Sequence, residues 1–267
     1  MKGIVGLIAG DGKFPLLLAS GLRASSFPVV AIGHRGATEI GLEAMVNTLH
    51  WVNIGELGKI IDLLKEEGVK KALFAGGIPK TLFFSEAKPD GRAIQVLSRL
   101  KDKKDDAILR AIAEEIESEG IRVVSPIPFL KDAMAPRGCW SGRKPTEREE
   151  KDMSFGWRIA KRVGRLDIGQ CVVVKEQMVL AVEAIEGTDE TIRRGGILGR
   201  GDVMVIKICK PKQDLRVDLP VIGPLTVKTL KESGASALVV EAGKTIVVDK
   251  EEVIHQADQN QICLIGM

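Results

Sequence analysis

The densest chemistry in the chain lies in Gln213-Asp214-Leu215-Arg216-Val217-Asp218-Leu219-Pro220. Asp214, Arg216 and Asp218 stand at i, i+2 and i+4, so an extended segment projects all three from one face. Two carboxylates flanking a guanidinium suit a divalent cation held against a phosphate; surface salt bridging is the competing reading. A second acidic run, Val182–Glu190, alternates apolar residues with Glu183 and Glu186 where a strand ends. At least one of those carboxylates is expected to point into a site. Thr188 or Asp189 is the expected cap of the helix that follows. Just before a buried strand stand Asp167 and Gln170, and a turn between two later strands carries Glu241 and Lys244.

Other residues suit anions. Gly10-Asp11-Gly12 and Gly76-Gly77-Ile78-Pro79-Lys80 each follow an apolar run, and glycine lets a phosphate approach the backbone. Plain tight turns explain them as well. Ile8–Pro15 resembles a dinucleotide fingerprint, but Pro15 stands where the third glycine would. Arg137, Arg143 and Lys144 crowd one loop and suit phosphate, with a solvated linker as the alternative. Lys104-Asp105-Asp106 opens a helix, where Asp105 or Asp106 serves as a cap or touches a metal or sugar. His34, His50 and His255 are scattered without HxxxH spacing, which argues against a histidine-centred metallohydrolase of the calcineurin type. Of the four cysteines, none form a CxxC pair, so a zinc ribbon has no basis. Cys171, Cys209 and Cys263 read as buried thiols, while Cys139 lies in a loop.

Stepping from these residues to their scaffold, the first half alternates strand and helix signals. Strands are expected over 3–9, 28–33, 71–75 and 121–124, and helices over 15–24, 54–67, 94–100 and 105–118. Such alternation predicts a Rossmann-like parallel sheet covered by helices. Ligands bind such sheets beyond the carboxyl ends of the strands, which puts both glycine turns along one rim. The character changes near 128–136. A domain boundary there divides the chain into 1–132, a Rossmann-like α/β domain, and 133–267, a mixed α/β catalytic domain. The second is expected to hold helices near 147–163, 188, 233 and 250–257, and strands at 170–175, 178–184, 203–208, 237–240, 245–248 and 262–265.

A hydrophobic fraction of 45% and a charged fraction of 28% over 267 residues are ordinary for a globular chain with a real core. The net charge of +3 is too small for a non-specific nucleic-acid binder. The apolar start, ending at Gly10, reads as a first buried strand, not a signal peptide. No run approaches the ~18–20 apolar residues of a membrane span. A cytoplasmic, reducing setting is expected.

Longer motifs carry a resemblance. Gly-Cys-Trp-Ser-Gly-Arg from Gly138, Leu-Asp-Ile-Gly-Gln from Leu166 and Val-Leu-Ala-Val-Glu-Ala-Ile-Glu-Gly-Thr-Asp from Val179 are three of them. Arg-Val-Asp-Leu-Pro-Val-Ile-Gly from Arg216, Val-Glu-Ala-Gly-Lys from Val240 and the glycine turn from Gly6 complete the set, with Asp105-Asp106 and Leu109-Arg110 also matching. Across essentially its whole length the chain resembles the UDP-2,3-diacylglucosamine pyrophosphatases of the type that is not calcineurin-like. The resemblance implies hydrolysis of UDP-2,3-diacylglucosamine to 2,3-diacylglucosamine 1-phosphate and UMP, a step of lipid A synthesis. It implies magnesium, water attack at the α-phosphorus, and a substrate held between two domains. It makes Asp218 essential, binding Mg²⁺ or orienting water, with Asp214, Asp189 or Glu186 assisting. Arg216, Arg143 and Lys244 become candidate phosphate clamps, and Gly10, Gly12, Gly76 and Gly77 a rim for the nucleotide or sugar phosphate. Lys144, Gln170, Asp105 and Thr188 fall within the same candidate set. Peripheral contact with the inner-membrane surface and a homodimer are compatible with a lipid-bearing nucleotide sugar as partner. An NAD(P)-binding oxidoreductase and a non-catalytic nucleotide-sugar or lipid sensor are the competing readings.

Overall fold

The computed structural model of the chain describes residues 2–78, 82, 85, 87–100 and 105–267. Pro79, Lys80 and Lys104 lie outside the described residues, as does the side chain of Asp105. Two compact units are present. The first comprises Met1–Lys131 with Asp214–Asp218, the second Asp132–Gln213 with Leu219–Met267. Asp214–Asp218, from the second half of the chain, thus belongs with the first unit.

The first unit is built on a parallel sheet of β1 (Val5–Ala9), β2 (Val29–His34), β3 (Thr48–Val52), β4 (Lys71–Ala75) and β5 (Arg122–Val123), in the order β3-β2-β1-β4-β5. β1 is buried along its whole length, as parallel strands covered on both faces must be. The apolar periodicity of 54–67 yields α2 (Leu57–Glu66), whose Leu57, Ile60, Ile61 and Leu64 pack into the core with Ile8, Ile32 and Phe74. α1 (Phe14–Ala24), α3 (Gly91–Arg99) and α4 (Asp105–Ser118) are further helices of this unit. Asp90 starts α3 by accepting the amides of Ala93 and Gly58, at 2.8 and 2.7 Å. The sequence reading found four of these strands and missed β3. Its residues are half-buried at an edge, so no continuous apolar run marks it. The chain adds strands to one side of β1 and then crosses to β4 on the other. Between the carboxyl ends of β1 and β4 lies the topological switch point, where such sheets bind ligands.

The second unit has a six-stranded mixed sheet. Its order is β6 (Gly138–Cys139), β13 (Cys263–Gly266), β11 (Ala235–Val240), β9 (Val203–Lys207), β7 (Cys171–Lys175), β8 (Met178–Val182). β9, β11 and β13 are mutually parallel; β6, β7 and β8 run antiparallel to their neighbours. α5 (Glu147–Arg165) covers one face, packing Ala160 on Val172, Met204, Ile206 and Val239. Gly156 brings that helix close, since a Cβ there would meet Ile206 Cδ1 at 2.4 Å. α6 (Thr188–Gly199), α7 (Pro224–Glu232) and α8 (Lys250–Gln259) cover the other face through Ile192, Val227, Leu230 and Val253. β10 (Val221–Ile222) and β12 (Ile246–Val247) form a separate parallel pair. Among the described residues no helix is long and apolar enough to cross a membrane.

Candidate active site

In the first unit the two glycine turns sit at the switch point and interlock. The Gly10 amide donates to Ala75 O at 2.8 Å and the Asp11 amide to Gly77 O at 2.7 Å. A Cβ on Gly10 would lie 2.3 Å from Gly77 O, and one on Gly76 2.4 Å from Asp11 O. Turn-to-turn packing therefore accounts for Gly10 and Gly76. Among the described residues nothing lies within 4 Å of a Cβ placed on Gly12 or Gly77. They are the two glycines of the rim with room for a ligand beside them. Next to them, His34 ends β2. Its Nδ1 lies 2.8 Å from Ala9 O, which also accepts from Thr38 Oγ1 at 2.7 Å. Burial lowers the His34 pKa below its ordinary value, and the hydrogen bond to Ala9 only partly opposes this. Histidine spacing gives no sign of His34; its signal in the sequence is a lone polar residue closing an apolar run.

The segment Asp214–Asp218 is not extended, so its three charged residues do not share a strand face. It is a turn closed by the Val217 and Asp218 amides on Asp214 O, at 3.1 and 3.0 Å. The Asp214 carboxylate accepts the Arg216 amide at 3.0 Å and the Arg216 guanidinium at 2.8–3.2 Å. Arg216 Nη1 also donates to Glu117 Oε1 at 3.1 Å. The Arg216 hydrogen bonds hold Asp214 below the usual carboxylate range, and Asp214 pushes the guanidinium pKa up. Asp214 and Arg216 therefore brace each other. Val217 is buried in the first unit's core, anchoring the turn from which the half-buried Asp218 follows.

In the second unit polar groups gather at the carboxyl ends of β9 and β11. Lys207 closes β9, directly in register with Val240, and Glu241 follows β11. Both are buried, at 7% exposure each, where an ionised group persists only with partners. Glu241 Oε2 accepts from Lys161 Nζ and from the Cys209 amide at 3.0 Å, and its Oε1 pairs with Lys244 Nζ at 2.9 Å. Burial raises the Glu241 pKa, but the two lysines outweigh it and the net shift is downward. Lys207 Nζ donates to Val221 O at 2.9 Å, and Lys210 Nζ to Asp167 Oδ1 at 2.8 Å. Lys161, Lys207 and Lys210 were not singled out from sequence. Lys207 left a signal, a lone charge ending the apolar run Val203–Ile206.

Where β8 runs into α6, Glu183 is buried and Glu186 exposed. Glu183 accepts from Thr188 Oγ1 at 3.0 Å and from the Gln170 amide at 3.1 Å. Thr188 and Asp189 do not cap α6. Its cap is Gly187, at φ 86° and without a side-chain bond, while Asp189 lies in the first turn. Glu186 accepts from the Ala184 amide, Thr191 Oγ1 and Arg194 Nη2. Its own amide first, then Arg194, lowers its pKa. Arg143 is a structural clamp. It donates to both oxygens of Glu149, at 2.9 and 2.7 Å, to Gln261 O at 2.7 Å and to Ser236 O. Lys144 beside it is exposed. Among the described residues no three His, Cys, Asp or Glu side chains converge as a metal cage.

Family models for the LpxI N-terminal and C-terminal domains match residues 4–133 and 136–265. A UDP-2,3-diacylglucosamine pyrophosphatase LpxI of Caulobacter vibrioides is 37% identical over 274 aligned positions, covering 98% of this chain and 97% of that one. The chain belongs to the LpxI family. Solved structures overlap it only loosely. A phosphoribosylglycinamide synthetase of Anaerococcus prevotii has 11% identity and a TM-score of 0.29, covering 72% of this chain and 42% of its own. A biotin carboxylase domain of a thermophilic 2-oxoglutarate carboxylase, bound to ADP, has 12% identity and a TM-score of 0.25, covering 63% and 46%. This LpxI chain spans less than half of those proteins, and likenesses so loose carry no weight for its fold or site.

Proposed function

We propose that this chain hydrolyses the pyrophosphate of UDP-2,3-diacylglucosamine, yielding UMP and 2,3-diacylglucosamine 1-phosphate for lipid A synthesis. Identity to the Caulobacter pyrophosphatase along nearly the full length of both chains carries this reading. It favours a hydrolase over an NAD(P) oxidoreductase or a non-catalytic sensor.

Each unit, taken by itself, offers side chains suited to part of this chemistry. Asp218, at the end of a turn braced by Asp214 and Arg216 and anchored by Val217, is the carboxylate for water or metal. Asp214 and Arg216 act on it as positioning residues, because each saturates the other. In the second unit, Glu241 presents Lys161 and Lys244, and Lys207 adds a buried ammonium. These are cations suited to phosphate oxygens.

The donors fit magnesium in one mode. Asp214 and Glu186 are occupied by arginines, and no cage of three acidic or imidazole groups exists among the described residues. Magnesium commonly binds through one or two carboxylates plus substrate phosphates and waters. Asp218, the aspartate that the family resemblance makes essential, would hold it in that way, and the ion would supply charge neutralisation on the diphosphate.

The test is UMP release from UDP-2,3-diacylglucosamine, with and without EDTA, by wild type and Asp218→Ala. Release that EDTA stops and that the variant lacks, at unchanged circular dichroism, is expected. Substrate binding without UMP release by the wild type would establish a sensor, and near-normal turnover by the variant would remove Asp218 from the mechanism. Hydrolysis in ¹⁸O-water locates the attack: the α-phosphorus expectation puts the label in UMP, and label in the sugar phosphate moves attack to the β-phosphorus.

A further inference from the structure

Cys139 and Cys263 lie on neighbouring antiparallel strands, β6 and β13, 124 positions apart in sequence. Cys139 is exposed and Cys263 is buried in the sheet. Their sulfurs are 3.6 Å apart. A disulfide needs about 2.0 Å, so the gap to close is only ~1.6 Å by that measure. β6 is a two-residue strand that, among the described residues, stands at the edge of its sheet, the place where so small a shift disturbs least. The bend that follows is already drawn towards β13. Trp140 N donates to Leu264 O at 3.0 Å, and Leu264 N donates to Ser141 Oγ at 2.8 Å. Cys139 stands opposite Ile265, so Cys263 is its diagonal neighbour across the two strands, and those bonds hold the strands together beside the two thiols.

We propose that Cys139 and Cys263 are a thiol-oxidation site that closes to an intramolecular disulfide when the protein meets a hydroperoxide. Exposure makes Cys139 the sulfur that meets the oxidant. Its thiolate attacks the peroxide, the O–O bond breaks, and an alcohol or water leaves with the proton Cys139 gave up. Cys139 is then a sulfenic acid. The Cys263 sulfur attacks it, the S–S bond forms as the S–O bond breaks, and water leaves with the Cys263 proton. Two thiols are oxidised by two electrons, and one hydroperoxide is reduced. Burial and the neighbouring Cys139 push the Cys263 thiol up to about 12, so Cys263 is not the sulfur that attacks the peroxide first; its 3.6 Å approach to Cys139 is what suits it to resolve the sulfenic acid.

The experiment treats the full chain with hydrogen peroxide, then counts thiols after denaturation and maps peptides without reduction. Free thiols should fall from the four of the sequence by two, the intact mass by two hydrogens, and one linked peptide pair should contain Cys139 and Cys263. Cys139→Ser should form no link, and Cys263→Ala should stop at a Cys139 sulfenic acid that dimedone traps. A linked pair other than this one, or Cys139 sulfinic acid in the wild type without any link, would overturn the proposal.

Discussion

Arg143 separates two physical pictures, and Glu149→Gln tells them apart. If the guanidinium waits for phosphate, neutralising Glu149 should change substrate affinity and leave the fold alone. The structure instead makes the pair a clamp. Glu149 is 4% exposed at its side chain and accepts both Arg143 nitrogens, the Thr146 amide at 2.8 Å and the Thr146 hydroxyl at 3.0 Å. Thr146 and Glu149 form the capping box that starts α5. Burial raises the Glu149 pKa, but Arg143 and Thr146 overcome this and bring the carboxyl to about 2 from an ordinary 4.5. At about 1.4 kcal/mol per pH unit, that difference contributes about 3 kcal/mol at neutral pH. Removing one partner of a buried pair costs a similar ~3–5 kcal/mol. Glu149→Gln should therefore melt roughly 6–12 °C below the wild type at pH 7, read by far-UV circular dichroism. The folded pKa is lowered, so the contribution is complete above the unfolded value and is lost as pH falls through 4.5 towards 2. Between pH 7 and pH 3 the variant should accordingly lose less stability than the wild type. Arg143→Ala should fall by a similar amount, and the double variant by much less than the sum. A Glu149→Gln melt within about 2 °C of wild type, with a raised KM, would refute the clamp.

Gly10→Ala places a methyl 2.3 Å from Gly77 O and should cost about 1–3 kcal/mol, whereas Gly77→Ala meets nothing and should melt like the wild type; equal melts would undo the interlocked turns. His34 should titrate below its ordinary 6.5 by NMR. Because the unfolded imidazole binds the proton more readily, its contribution to stability is complete above pH 6.5 and is lost as pH falls towards the folded value; titration at or above 6.5 would contradict its burial. Glu241→Gln removes the shared anchor of Lys161 and Lys244 and should lower kcat/KM roughly tenfold, about 1.4 kcal/mol. Unchanged kinetics would exclude those lysines from the substrate.

The fold was legible where local pattern and burial agree. Continuous apolar runs marked β1, β2, β4 and β9, and the 3.6-residue periodicity of Ile60, Ile61 and Leu64 marked α2. A helix over 147–163 was expected, but the Thr146–Glu149 box that starts it and the Arg143 that Glu149 also holds appear only in the structure. Charged side chains proved the hardest to read because their partners are distant: Lys161 meets Glu241 from 80 residues away, and Arg216 meets Glu117 from 99.

Asp214–Asp218 shows why this matters for function. Alternating charged and apolar residues, Asp-Leu-Arg-Val-Asp, would put two carboxylates and an arginine on one face if the segment were extended. The actual turn follows from where Val217 goes. It packs into the core of the first unit, and an apolar anchor in mid-segment is compatible with a closed i to i+4 turn that brings the Asp218 amide onto Asp214 O. That closure turns Arg216 back onto Asp214, two residues away, before any substrate arrives. Asp214 and Arg216 are thereby paired with each other, and in the proposed mechanism they brace Asp218. Breaking the brace with Asp214→Asn should then impair Asp218 without removing it, lowering kcat more than it raises KM. Asp218→Asn should remain the more damaging change, and the reverse ranking would make Asp214 the ligand and Asp218 the support.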